Sequence, residues 1–180
     1  MQNNDLGDYL KLLDSQRETI FAEIKGVEID MIWLRPAEKD WSMGENIEHG
    51  RVLLRSFRRL LKIIWPIFSP YAKLKRSRLY KVIIDDVYER PDFPLHVGWI
   101  WPSKYNADNP VSLENLNEFY VKEHLAIRKF YENKQEDLLG NLNIYDPAIG
   151  WINLIQVLRV GAYHDEHHFR QVRKLYAEMK

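Results

Sequence analysis

Three of the six histidines of the chain fall within five consecutive positions, in the stretch AYHDEHHFRQV between Ala162 and Val172. Imidazole nitrogens bind zinc, nickel, iron and copper ions, and two histidines four residues apart on one helix can reach a single ion. His164 and His168 have that spacing, and His167 lies between them. The chemistry that this stretch predicts is the binding of a divalent metal ion.

The histidines are predicted to lie on the helix faces that point toward the interior of the protein. At about 100° of rotation per residue, His164 and His168 lie within about 40° of one another, in the middle of an apolar stripe, and His167 lies at its edge. On an earlier helix, His49 also lies on the apolar face. The basic residues of that helix face the other way: Arg51, Arg55, Arg58 and Lys62. Three inward nitrogens favour a metal site with a coordination position left for water or substrate.

Four amphipathic helices are predicted, over about residues 6–25, 42–65 and 112–138 and from the stretch YDPAIG to the C-terminus. A capping box of Ser42 and Glu45 indicates the start of the second helix, and Pro66 is expected to end it. Asp146 and Pro147 are expected to form the cap and first turn of the last helix. No segment predicts a strand. The pattern indicates an all-α fold, a four-helix bundle, in a single domain over residues 1–180.

A long connection, at about residues 66–111, joins the second and third helices. It is longer than an ordinary loop between bundle helices, so we expect it to fold over one end of the bundle. A short helix is expected within it, near residues 79–88. Trp99 and Trp101 could line a substrate pocket there or pack the connection onto the bundle. His96 in this segment and His124 on the third helix stand outside the metal pattern, and we interpret His124 as structural or exposed.

The composition limits the function classes. Twenty-six basic residues balance twenty-six acidic ones, which argues against nucleic acid or an anionic membrane as a partner. The chain has no cysteine, and this excludes disulfides, zinc–thiolate sites and a cysteine nucleophile. The N-terminus lacks the pattern of a signal peptide, and no apolar run approaches the roughly 20 residues of a membrane span. We therefore expect a cytoplasmic protein.

Two stretches resemble motifs of the DinB superfamily. Trp41–Gly50, WSMGENIEHG, is similar to its Trp-Ser-x-x-Glu-x-x-x-His motif, and Asp146–Val172 is similar to its last helix, which carries His-x-x-x-His followed by x-x-Gln. The resemblance covers nearly the whole chain apart from the middle connection. It implies a DinB/YfiT-like metalloenzyme of the DinB-like branch, with a divalent ion held by His49, His164 and His168.

Three further residues are candidates for supporting the ligands. The glutamine of the family motif corresponds to Gln171, one turn beyond His168, where it could hold a ligand in place or simply lie at a helix interface. Glu45 lies on the inward side of the second helix, one turn before His49, although its capping role already explains its presence. His167 occupies a variable position of the motif.

The resemblance implies an enzyme that acts on a small molecule. Characterised members of the superfamily include thiol-dependent transferases, so the leading expectation is a transferase that uses a low-molecular-weight thiol, whose pKa the metal lowers. Two alternatives stay open: a metal-dependent hydrolase that uses bound water, and a non-catalytic metal-binding bundle that acts by forming a homodimer or binding a partner. Three imidazoles do not distinguish zinc, nickel, iron or copper.

Overall fold

The computed structural model describes residues 6–38, 40–91 and 111–179, and these ranges contain six helices and two short strands. They are α1 (Leu6–Glu23), α2 (Ile29–Ile32), α3 (Met43–Leu74), α4 (Leu113–Glu132), α5 (Glu136–Asn141), β1 (Asn143–Asp146), β2 (Gly150–Asn153) and α6 (Leu154–Glu178), with a 3-10 turn at Val87–Glu89. The predictions for His96, Trp99 and Trp101 lie outside the described residues.

The four long helices form a bundle, which confirms the predicted fold. Helix α3 packs against α4 and α6, and α1 packs against the same two helices. Nearly fully buried apolar side chains fill the space between them: Leu13, Ile20, Ile47, Leu61, Leu116, Ile127 and Phe169. Each contributes roughly 1.5–3 kcal/mol relative to exposure. Among the described helices, none is long and apolar enough to cross a lipid bilayer.

Helix α3 continues through Pro66 and Pro70 to Leu74, so the predicted end at Pro66 is wrong. Each proline removes one backbone donor from the helix. Both prolines are exposed and lie four residues apart on one side, so the carbonyls left unpaired there can bond to water. Leu61 and Ala72, on either side of the prolines, are fully buried and hold the helix in place.

The region between α4 and α6 also differs from the prediction. The third long helix is shorter than expected, and α5 follows it as a separate element. Strands β1 and β2 pair as an antiparallel hairpin that the sequence does not predict, because strands of four residues are too short to show alternation. The last helix begins at Leu154 with Asn153 as its cap, rather than with Asp146 and Pro147. Asp146 instead closes the hairpin turn, where its side chain accepts two backbone hydrogen bonds.

The described part of the connection is extended along the bundle, and the helix expected near residues 79–88 is present only as the 3-10 turn. Residues 81–84, which we call the strap, offer four successive carbonyls to side chains. The donors, with donor–acceptor distances, are Asn153 at 2.7 Å, Tyr9 at 3.2 Å, Gln156 at 3.1 Å and Tyr163 at 3.0 Å. These bonds fix the 3-10 turn that follows, which lies against α6.

Candidate metal centre

The three predicted ligands come together between α3 and α6. One ligand nitrogen each from His49, His164 and His168 lies within 4.8 Å of the other two. The Nε2 atoms of His49 and His164 are 3.2 Å apart, close to the separation expected for nitrogens that both lie about 2.0–2.1 Å from one ion. Tetrahedral nitrogens at that distance from an ion lie about 3.3–3.4 Å apart, so a pair at the outer limit would have to close by about 1.4 Å.

The capping box predicted for the second helix is present at the start of α3. The Ser42 hydroxyl accepts a hydrogen bond from the Glu45 amide at 3.1 Å, and the Glu45 carboxylate accepts from the Ser42 amide at 2.8 Å. Arg35 Nε donates to both carboxylate oxygens, at 2.9 Å each. Burial alone would raise the pKa of Glu45, but Arg35 and Ser42 hold it below its usual value. In the described structure this carboxylate makes no hydrogen bond to an imidazole, so a role for it in orienting a ligand stays a prediction.

Asn46 orients one of the three imidazoles, although no motif in the sequence indicates it. Its amide nitrogen donates to the Ser42 carbonyl at 2.9 Å, which leaves its Oδ1 facing His168. That oxygen lies 3.0 Å from His168 Nδ1, and because it can only accept, Nδ1 carries the proton and donates. The Nε2 lone pair of His168 is then available to an ion. Asn46 precedes His49 by three residues on the same helix face, and this spacing is the signal that could have identified it.

An indole ring covers part of the cluster. Trp41 stacks on His168, with ring centroids 5.7 Å apart and planes at 14°, and its centroid lies 4.8 Å from that of His49. Trp41 is half-buried and precedes the cap of α3. It therefore forms an apolar wall beside two of the three candidate ligands.

The two remaining candidates on α6 lie in different places. His167 is half-buried and stacks on Tyr88 of the 3-10 turn, with centroids 5.0 Å apart, and its ring meets that of His168 edge-on. It lies beside the cluster but outside the set of three nitrogens. Gln171 is exposed, and in the ranges that the structure describes it makes no hydrogen bond to a histidine. The prediction that Gln171 supports a ligand or lies at a helix interface, on the same face as His168, does not fit its exposure; Val172 is the residue buried at that level.

A buried polar network adjoins the cluster at His164. Asp165 is 1% exposed and accepts a hydrogen bond from the Tyr120 hydroxyl at 3.1 Å. Gly50 makes room for this contact, since a Cβ there would lie 2.1 Å from the Tyr120 oxygen and 3.1 Å from Asp165 Oδ1. The second oxygen of Asp165 lies 3.8 Å from Nε2 of His124. The carboxylate therefore lies between helices α4 and α6, directly behind His164.

Asp14 of α1 extends this network to the protein surface. The Nδ1 of His124 lies 3.1 Å from one carboxylate oxygen of Asp14, and Arg128 donates to the other. Burial alone would raise the pKa of Asp14, but hydrogen bonds from Arg128 and His124 hold it below its usual value. His124 is 4% exposed, so it is a buried residue with polar partners rather than an exposed one.

Burial keeps several of these imidazoles neutral. Burial, followed by repulsion from His164, lowers the pKa of His49 to about 3. The same causes lower the pKa of His168 further and also lower that of His167. The neutral imidazole is the form that binds a metal ion, because the charged form has no free lone pair.

The donor set fits a divalent ion. Two Nε2 lone pairs that face one another at 3.2 Å repel unless a proton or a cation lies between them. Among the described residues, the buried Nδ1 atoms of His49 and His164 have no hydrogen-bond partner, so no hydrogen bond at Nδ1 explains the orientation of these rings. Three imidazoles suit zinc, nickel, iron or copper.

Comparison with known proteins identifies the fold. No family model matches the chain, and no curated protein matches it. Among solved structures, YfiT from Bacillus subtilis, a probable metal-dependent hydrolase with an unusual four-helix bundle topology, is similar over 99% of this chain and 90% of its own, with a TM-score of 0.63. The sequence identity is 10%, so the likeness is one of fold. This chain has the YfiT-like four-helix bundle that its resemblance to the DinB superfamily implies.

Proposed function

We propose that this protein binds one divalent metal ion through His49, His164 and His168 and uses it to hydrolyse a small-molecule substrate. The observation that carries the proposal is the convergence of three imidazole nitrogens within 4.8 Å, two of them 3.2 Å apart. An ion held by three imidazoles lowers the pKa of a water ligand to about 7 and so supplies a nucleophile near neutral pH.

The chain itself supplies orientation and shielding from solvent. Asn46 fixes which nitrogen of His168 faces the centre of the cluster. Trp41 and Tyr88 lie against the imidazoles and offer apolar surfaces on which a substrate can pack. Binding sites for small molecules commonly combine such apolar walls with a few placed polar groups.

Hydrolysis has more support than transfer to a thiol. YfiT, which shares the fold over 99% of this chain, is described as a probable metal-dependent hydrolase. The thiol-dependent transferase rests on the DinB resemblance, and no described contact favours a thiol cosubstrate. The non-catalytic bundle, the homodimer and the cytoplasmic location likewise stay predictions.

Cobalt substitution tests the proposal. The metal-free protein is loaded with cobalt and assayed against esters, amides and phosphoesters, and turnover is expected with the loaded protein and absent from the metal-free protein. Glutathione, bacillithiol and cysteine are then titrated against the cobalt spectrum. A sulfur-to-cobalt charge-transfer band, with turnover only in the presence of thiol, would replace hydrolysis by thiol transfer. A cobalt site that exchanges no ligand would instead favour the non-catalytic bundle.

A further inference from the structure

Three buried polar atoms behind the cluster have no described hydrogen-bond partner: His164 Nδ1, Asp165 Oδ2 and His124 Nε2. All three belong to one group of contacts. Asp165 Oδ1 lies 3.8 Å from His164 Nδ1, and Asp165 Oδ2 lies 3.8 Å from His124 Nε2. Buried polar atoms normally have partners, and a shift of about 0.7 Å would turn the His164 contact into a hydrogen bond. The same shift would do so for His124 when both of its ring nitrogens carry protons, since Nδ1 already donates to Asp14.

Metal binding would require a hydrogen-bond acceptor at Nδ1 of His164, and Asp165 is placed to supply it. When Nε2 of an imidazole gives its lone pair to an ion, Nδ1 must carry the proton and requires an acceptor. Oδ1 of Asp165 already accepts from Tyr120, but a carboxylate oxygen can accept two hydrogen bonds. The carboxylate is therefore placed to accept a hydrogen bond from His164 Nδ1 while it keeps the one from Tyr120.

The other side of the carboxylate is held by residues from two further helices. His124 on α4 directs Nε2 toward Asp165, and its Nδ1 is fixed by Asp14 on α1. Asp14 is in turn paired with Arg128. A continuous series of contacts thus connects the cluster to a partly exposed ion pair.

We propose that Asp165 is a positioning residue for the metal centre, which orients the imidazole of His164 through Nδ1, and that His124 and Asp14 hold its carboxylate from behind. This inference rests on the proposed metal site. Removing such a partner of a ligand histidine typically lowers metal affinity 10–100-fold. Residues on α1 and α4, which contribute none of the three ligands, therefore affect the affinity for the ion.

The test measures zinc affinity by competition with a chromophoric chelator. Asp165→Asn preserves the shape of the side chain and removes its charge, and we expect affinity to fall about 10–100-fold. His124→Gln is expected to have a smaller effect, and Asp14→Asn the smallest. The matched control is Glu123→Gln. Glu123, on α4, is a buried carboxylate like Asp165, but it pairs with Arg58 instead of contacting the cluster. It is expected to lower stability and leave zinc affinity unchanged.

The visible spectrum of cobalt reports ligand geometry directly, and it is expected to change in Asp165→Asn but not in Glu123→Gln. Wild-type zinc affinity and an unchanged cobalt spectrum in folded Asp165→Asn would overturn the inference and leave the proposed function intact. An equal loss of affinity in Glu123→Gln would also overturn it, as a general effect of packing. If Asp165→Asn does not fold, unchanged affinity in both His124→Gln and Asp14→Asn overturns it. A wild-type protein that binds no zinc would overturn the proposed function itself.

Discussion

The two sides of the histidine cluster are built differently. The inner face consists of Asp165, Tyr120 and His124, which are at most 4% exposed and come from the long helices. The outer face consists of Trp41 and Tyr88, which are half-buried and come from segments outside those helices. Packing of the bundle therefore fixes the ligands from the inside. In the part of the chain that the structure describes, the surface that we propose for substrate packing is made by connecting segments, which tolerate sequence change more readily.

The largest expected effect is on the inner face, at Gly50. A Cβ in Gly50→Ala would overlap the hydroxyl of Tyr120, so we expect unfolding free energy to fall by about 1–3 kcal/mol or more. Tyr120→Phe removes that oxygen and should restore part of the loss in the double variant. Gly161→Ala is the matched control, because its Cβ meets Leu54 at an ordinary 3.8 Å. Urea unfolding compares these four variants, Tyr120→Phe alone included, with wild type, and wild-type stability of Gly50→Ala would contradict the close packing of this face.

The next effect concerns the orientation of His168. Asn46→Ala removes the acceptor for its Nδ1, and we expect zinc affinity to fall about 10–100-fold. Asn46→Asp keeps an oxygen at that position and should bind zinc more tightly than Asn46→Ala. Competition with a chelator measures both variants. Equal affinities of wild type and Asn46→Ala would show that the imidazole needs no such support.

The helices and the three candidate ligands could be predicted because their signals extend over long segments. His49, His164 and His168 each lie within a periodic apolar stripe, and this period determines the side of the helix that faces inward. The contacts behind the ligands could not be predicted in the same way. Asp165 lies in the metal-binding stretch itself, but its partners Tyr120 and His124 are on another helix, and only packing brings them together.

Local signals also failed where the tertiary structure compensates for them. Pro66 ordinarily ends a helix, yet here it lies on an exposed side of α3, where water can bond to the unpaired carbonyl. The Asp146–Pro147 pair resembles a helix start but forms a hairpin turn, because Asn153 supplies the stronger cap through a capping box with Gln156. At Pro66 the deciding factor is exposure to water, which only the packing of the bundle determines, whereas at the last helix two local signals compete and the capping box at Asn153 prevails.

A smaller effect is expected at the cap of α3, which precedes both Asn46 and His49. The pKa of Glu45 lies below its usual value in the folded protein, so its ionised form stabilises the fold above about pH 4.3, and this contribution is lost as pH falls through the folded pKa. Glu45→Gln should lower the free energy of unfolding by about 1 kcal/mol at pH 7 and by progressively less toward pH 3. Urea midpoints of the metal-free proteins measure the difference, and a gap independent of pH would contradict it.

The smallest effect on the metal is expected at the outer face. Trp41→Leu leaves the ligands and Asn46 in place, so zinc affinity should change by less than about threefold, well below the 10–100-fold expected for the inner contacts. Instead, KM for a hydrolysed substrate should rise, because the variant removes a wall against which a substrate packs. Steady-state kinetics and zinc competition on the same preparation separate the two. If Trp41→Leu lost as much zinc affinity as Asn46→Ala, the two faces would not differ in their effect on the metal.

The most direct test of the account is zinc binding by His49→Ala, His164→Ala and His168→Ala, with Gln171→Ala as the control from the exposed side of α6. Elemental analysis and chelator competition are carried out on proteins shown to be folded by circular dichroism. We expect one zinc ion per chain in wild type and in Gln171→Ala, and a loss of more than about 100-fold in affinity in each histidine variant. Equal zinc content and affinity in wild type and all three histidine variants would contradict it.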